Sequence, residues 1–192
     1  RVIHNGLPDL PQNPVHANPA VQIGFLGTWF AWKGVEILAE VIKKTTHLPV
    51  HWNLFGEPSV ETEATVGEIC RMAVDKVTCR GFEPASALFK GLDMVFHPSI
   101  KFDPLPTVLI ESARAGVPVV ASRVGGTDEI VVDGETGLLY DAGQTDQAVR
   151  LITELVNDPD LRRRLGSRGR ARFESEFRVE KMLKNYSELW SE

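Results

Sequence analysis

Cysteine is nearly absent from this 192-residue chain: Cys70 and Cys79 stand nine positions apart with no CxxC or Cys/His spacing around them. That excludes a disulfide framework and a zinc site as expectations, and it fits a reducing cytoplasm. No run approaches the roughly eighteen apolar residues of a membrane span, and no basic-then-apolar signal segment follows Arg1, so a soluble protein is expected. Basic charge is not in excess either. With 21 Lys and Arg against 26 Asp and Glu, the net charge of −5 disfavours a nucleic-acid partner. Neither GxxxxGK followed by Ser or Thr nor GxGxxG after the first strand occurs, so P-loop hydrolysis and the dinucleotide fingerprint are set aside.

What remains is an ordinary globular composition, 43% apolar and 24% charged, in a chain long enough to bury roughly 70% of its unfolded surface in one core. A single domain over residues 1–192 is expected, with 1–20 a proline-rich lead-in linker containing a short strand at Val2-Ile3-His4. Strands are predicted at Val21–Gly27, Val50–Phe55, Lys76–Arg80, Asp93–His97, Pro118–Ser122 and Gly137–Tyr140. Helical patterns lie between them: Lys33–Thr46, a polar stretch ending near Met72 and Val74, Pro84–Lys90, Thr107–Ala115 and Asp128–Val132. Almost continuous helix follows from Asp146 to Trp190, so 146–192 is a helical carboxyl-terminal segment. Strands that are apolar throughout and alternate with helices predict an α/β fold, a doubly wound Rossmann-like parallel sheet with helices on both faces. Ligands of such sheets lie outside the carboxyl ends of the strands, which confines the functional search to the loops there.

Within those loops the stretch from His97 to Val131, HPSIKFDPLPTVLIESARAGVPVVASRVGGTDEIV, is the richest. Asp103 falls in a loop and Glu111 in the helix after it. A carboxylate accepts two hydrogen bonds, which suits vicinal hydroxyls of a ribose or hexose, although a half-buried Glu paired with a neighbouring base is the bland alternative. His47 and His51 share no helical face, which argues against a metal pair. Asp158-Pro159-Asp160 reads as a helix cap and first turn instead of a metal motif. Glu129, after a glycine turn, reads as a cap. Arg162, Arg163, Arg164, Arg168, Arg170 and Arg172 read as a solvated ion-paired face, with contact to another domain or an anionic membrane as the sharper alternative.

The pattern PS-x3-DPLPTVLIESARAGVPVVAS-x2-GG-x2-EIV resembles the carboxyl-terminal domain of retaining GT-B glycosyltransferases of family 4, the group 1 type. Val2 to Gly6 is similar to the family's lead into its second domain, Gly27 to Gly34 to its phosphate loop, and Arg80-Gly81-Phe82 to its edge near the base. The resemblance implies a donor-binding half of an enzyme that moves a sugar from a UDP- or GDP-type nucleotide sugar to an acceptor hydroxyl with retention, hexosyl transfer included. The acceptor half would be a missing amino-terminal domain, and the fragment alone would be inactive. By the same resemblance Glu111 holds the ribose hydroxyls, Asp103 lies beside the transferred sugar, Lys33 neutralises the diphosphate, and Gly81 and Phe82 flank the base. Gly27, Gly125 and Gly126 let backbone approach the ligand, while amides of Leu105, Thr107 and Val108, with Pro106 starting the helix, donate to it. Three departures stand out: Asp103 where Glu is usual, Pro104 and Pro106 where glycines follow, and Thr28 in place of an arginine, for which Arg123 is the substitute on hand.

No cofactor and no metal are implied, because a fixed ammonium and helix amino termini can stabilise a departing diphosphate. Localisation is expected to be cytoplasmic, with peripheral membrane contact of the full-length enzyme. Two other readings compete: a sugar-nucleotide epimerase of the same architecture, for which only His97 stands near the edge, and a flavodoxin-like signalling or nucleotide-binding module, which needs a strand-ending Asp.

Overall fold

A computed structural model describes residues 2–10, 19–72, 75–84 and 87–191. Six parallel strands form one sheet: β1 Val21–Leu26, β2 Val50–Phe55, β3 Val77–Gly81, β4 Met94–His97, β5 Val119–Ser122 and β6 Leu138–Tyr140, in the order β3-β2-β1-β4-β5-β6. This is the doubly wound Rossmann order, and its direction of winding reverses between β1 and β4. There β1 pairs with β4 through Ile23 opposite Met94 and Gly24 opposite Val95. The two chains then leave the sheet in opposite directions, which opens a crevice at their carboxyl ends.

Seven helices flank the sheet among the described residues: α1 Val35–Thr45, α2 Glu63–Met72, α3 Thr107–Ala115, α4 Thr127–Ile130, α5 Thr145–Asn157, α6 Pro159–Glu176 and α7 Val179–Trp190. None is long and apolar enough to cross a membrane. Alternate residues of each strand point to opposite faces. Ile23, Phe25, Trp52, Leu54, Phe96 and Tyr140 therefore join one core with Leu38, Ile42 and Ile152 of α1 and α5. Val95, Val119, Ala121 and Leu139 join a second core with Leu109, Ile110 and Phe173 of α3 and α6.

Several expectations need correction. Val2-Ile3-His4 is not a strand; instead Leu7 makes a single bridge with Arg178, donating its N–H to the Phe177 carbonyl at 2.8 Å and accepting from Val179 at 3.0 Å. The expected helix at Pro84–Lys90 falls partly outside the described residues, and 87–90 form turns that Gly91, at φ 79°, reverses. Part of the sheet face is polar: Asn53, buried in β2, donates to Gln22 at 3.1 Å and accepts from Arg80 Nε and Nη2 at 3.2 and 3.0 Å. The strands are not apolar throughout.

The carboxyl-terminal helix is broken twice. Asp158 accepts from the Leu161 N–H at 2.8 Å with Pro159 in the first turn of α6, a side-chain cap. Arg178 is extended because its neighbours serve the Leu7 bridge. The arginines of α6 are also less solvated than a free ion-paired face. Arg162 donates to the Val156 and Leu155 carbonyls that end α5, and Arg172 to the Ile130 and Glu129 carbonyls at 2.8 Å each. Arg170 grips Asp9 through both Nη atoms at 2.7 Å, donates to the Arg114 carbonyl, and holds the Asp9 carboxyl below the usual carboxylate range.

This fork ties the lead-in segment to the helical layer. Arg170→Ala should destabilise the chain by about 1–3 kcal/mol in chemical denaturation. Arg170→Lys should recover only part of that, because an ammonium cannot match two carboxylate oxygens and a carbonyl at once.

Candidate functional site: a cleft at the sheet reversal

The crevice between the loops after β1 and β4 is a cleft of about 370 Å³ lined by Leu26, Gly27, Thr28, Phe30, Trp32, Lys33, Leu88, Asp103, Leu105, Pro106, Thr107, Val108 and Glu111. Nine of the residues expected at the site from sequence therefore share one wall-to-wall space. Each is placed by a definable local cause. The β1 loop passes over Trp29, which is 2% exposed and donates its indole N–H to the Phe55 carbonyl at 2.9 Å. A single 3-10 turn, Ala31–Lys33, follows and ends at Gly34, φ 79°. A side chain at Gly34 would put its Cβ 1.9 Å from the Pro98 carbonyl oxygen, so only glycine lets the Lys33 loop sit against the end of β4. The Ile100 N–H to Trp32 carbonyl bond, 2.9 Å, fastens the same seam.

Lys33 and Asp103 meet there. Nζ lies 2.6 Å from Oδ2, with side-chain exposures of 20% and 11%, and Nζ also sits 4.4 Å from the Trp32 ring centroid. An ammonium carries three donors, so contact with Asp103 leaves others available. Behind the pair, His97 is buried and its Nε2 lies 3.1 Å from Ser99 Oγ. Burial pulls its imidazole down to about 4, with the Lys33 charge adding and Asp103 opposing, so the ring is neutral at neutral pH. His97 does not line the cleft, which leaves the epimerase reading without its histidine.

Across the cleft, Pro106 precedes α3, whose first turn carries Thr107 and Val108; first-turn amides have no acceptor within a helix. One turn on, Glu111 is half-buried. Among the described residues it has no hydrogen-bond or ion-pair partner, and burial raises its carboxyl above the ordinary value, the charge of Arg114 opposing. The bland alternative, a Glu paired with a neighbouring base, does not hold. No group of three His, Cys, Asp or Glu able to hold a metal occurs among the described residues.

Five expected residues lie elsewhere. Arg123 is engaged by Asp128 at 2.7 Å and Asp133 at 2.5 Å and does not line the cleft, so it does not stand in for the arginine missing at Thr28. Gly125 and Gly126 face chain, not open cleft: their Cβ atoms would lie 1.9 Å from the Asp103 carbonyl oxygen and 2.1 Å from that of Pro104. They buttress the loop that presents Asp103. Gly81, at the end of β3, accepts from the Gly56 N–H at 2.7 Å, and Phe82 is exposed outside the cleft. Glu129 does not cap α4 but meets His4 Nε2 at 2.7 Å. Phe30 and Trp32, stacked with ring centroids 6.3 Å apart, were not anticipated; their alternation with Ala31 in a loop carries no periodic signal.

The sequence profile of the family described as Glycosyl transferases group 1 matches residues 9–172. The chain belongs to that family. An uncharacterized glycosyltransferase of Methanocaldococcus jannaschii is 26% identical over 178 residues, which are 88% of this chain and 45% of the relative. The capsular polysaccharide biosynthesis glycosyltransferase CapM of Staphylococcus aureus is 26% identical over 159 residues, 81% of this chain and 42% of its own. Among solved structures, sucrose-phosphate synthase of Thermosynechococcus elongatus matches 100% of this chain and 52% of its own, with a TM-score of 0.87 and 23% identity. Anabaena HepE in complex with UDP matches 90% and 49%, with a TM-score of 0.82 and 24% identity. This group 1 domain thus has the Rossmann-like fold of GT-B glycosyltransferases, and it spans about half the length of the relatives it matches.

Two measurements check the site's construction. Gly125→Ala, forced to adopt φ 55° against the Asp103 backbone, should lose at least about 2 kcal/mol of stability. Glu111→Gln should raise the melting temperature of the ligand-free transferase domain at pH 7. Because the folded carboxyl titrates above its ordinary 4.5, the advantage should grow as pH rises from that value through the raised one and vanish below it.

Proposed function

We propose that this chain is the donor-binding half of a retaining family 4 enzyme. The full-length protein would transfer a hexosyl group from a nucleoside diphosphate sugar to an acceptor hydroxyl with its anomeric configuration kept. The observation that carries the reading is Glu111: a partly desolvated acceptor, without a hydrogen-bond or ion-pair partner among the described residues, one turn inside a helix whose amino-terminal amides border the same cleft. Such a group gains most from a ligand that brings paired hydroxyls, as a ribose does, while the α3 amides and Lys33 suit the diphosphate.

In this reading Lys33 shares its ammonium between Asp103 and the β-phosphate, so the negative charge that develops as the nucleoside diphosphate departs meets a fixed cation. Asp103 then stands beside the transferred sugar. The leaving group is stabilised by Lys33 and the helix terminus, without a protein-held metal. Support for the donor class comes from the fold neighbour HepE, whose structures contain UDP and UDP-glucose. The acceptor is assigned to an amino-terminal half, as the doubled length of the relatives supports, and a soluble nucleotide donor fits a cytoplasmic site of action.

Calorimetric titration with UDP- and GDP-sugars tests the reading. One nucleotide class should bind weakly, and Glu111→Ala should weaken it at least about tenfold, the loss of one charge-assisted hydrogen-bonding group. Indifference of the chain to both classes, or a Glu111→Ala variant that binds like the parent, would sink it. Sugar transfer by the isolated chain would overturn the half-enzyme view.

A further inference from the structure

The sequence spacing of Cys70 and Cys79 argued against a disulfide, but folding brings them together. Cys70 lies in the last turns of α2 and Cys79 in β3, the edge strand, and their Sγ atoms are 2.6 Å apart with no room for an intervening atom. Both are free thiols, Cys70 partly buried against the core and Cys79 exposed. No part of the cleft or of the donor reading uses them.

We infer that Cys70 and Cys79 form a thiol–disulfide modification site that an oxidised low-molecular-weight disulfide, such as oxidised glutathione, converts to an intramolecular cross-link between α2 and the sheet edge. One thiolate of the pair attacks one sulfur of the small disulfide, forming a mixed disulfide and releasing one small thiolate. The other thiol then gives up its proton to solvent, and its sulfur attacks the modified Sγ, expelling the second small thiolate. Two protein thiols are oxidised by two electrons, and one small disulfide is reduced to two thiols. Either thiol opens the exchange, since the contact between the two sulfurs puts the other within reach to resolve it. The second sulfur is held in contact, so that resolution outruns a second external attack.

The closed loop is short, from residue 70 to 79, and joins a helix to a strand with a free edge. Cross-linking it removes unfolded-state freedom and pins the edge. The test incubates the purified chain with oxidised glutathione and reads intact mass, a non-reducing peptide map and thermal unfolding. The expected result is a loss of about 2 Da with a Cys70–Cys79 cross-linked peptide, and a melting temperature about 5–10 °C above the reduced form. In Cys79→Ser the mixed disulfide on Cys70 should persist and the rise in melting temperature disappear. Two stable glutathione adducts on the parent chain, no reaction, or a cross-linked chain that melts with the reduced one would each overturn the inference. The outcome is independent of nucleotide-sugar binding, so either reading can fail alone.

Discussion

The pairing of β1 with β4 is the constraint on which the functional geometry rests. A parallel strand cannot be followed directly by its neighbour, so each carboxyl end must leave the sheet through a loop and return by a helix. At the β1/β4 boundary the two exits diverge, one toward α1 and the other toward α3. The space between them has polar loop backbone and helix amino termini for walls. Lys33 and Asp103, seventy residues apart in sequence, become partners because both loops start from adjacent strands.

The cleft holds two kinds of charge, and they differ in how much the fold compensates them. Lys33 and Asp103 satisfy one another at 2.6 Å, with Trp32 covering the ammonium. Glu111 has no such partner among the described residues, and its half-buried carboxylate is maintained at the expense of stability. A half-buried carboxylate without a hydrogen-bond partner among the described residues leaves its accepting capacity unmet at the wall of the cleft, where a ligand can reach. The rigid supports are apolar or backbone-to-backbone: Trp29 under the β1 loop, Gly34 against Pro98, and Gly125 against Asp103.

Much of this was legible in the residues. The Thr107–Ala115 helix and the Val50–Phe55 strand appear with the boundaries that periodicity and flanking Pro and Gly suggest, because those signals are local. Where tertiary contact decides, reading the sequence failed. Val2–His4 looked like a strand but pairs with no edge among the described residues, and the polar face of β2 was hidden by an apolar average over VHWNLF. The Arg-rich stretch looked solvated, yet Arg162, Arg170 and Arg172 donate to carbonyls and to Asp9, partners that depend on how α6 lies on the rest of the fold. The glycine pair at 125–126 was rightly marked as a place needing no Cβ, but the atoms that need the room belong to the Asp103 loop.

By itself, the sequence determined the alternation of strands and helices, the doubly wound class, the Asp158 cap, and the residue types able to meet hydroxyls and phosphates at strand ends. These follow from backbone periodicity and from what each side chain can donate or accept within a few positions. Only the tertiary structure decided that Lys33 pairs with Asp103, that Glu111 pairs with none of the described residues, that Arg123 is spent on Asp128 and Asp133, and that Cys70 meets Cys79. Contacts of that kind depend on the strand order and on the angles at which loops leave the sheet, which are set by packing of the whole core and not by any local run of residues.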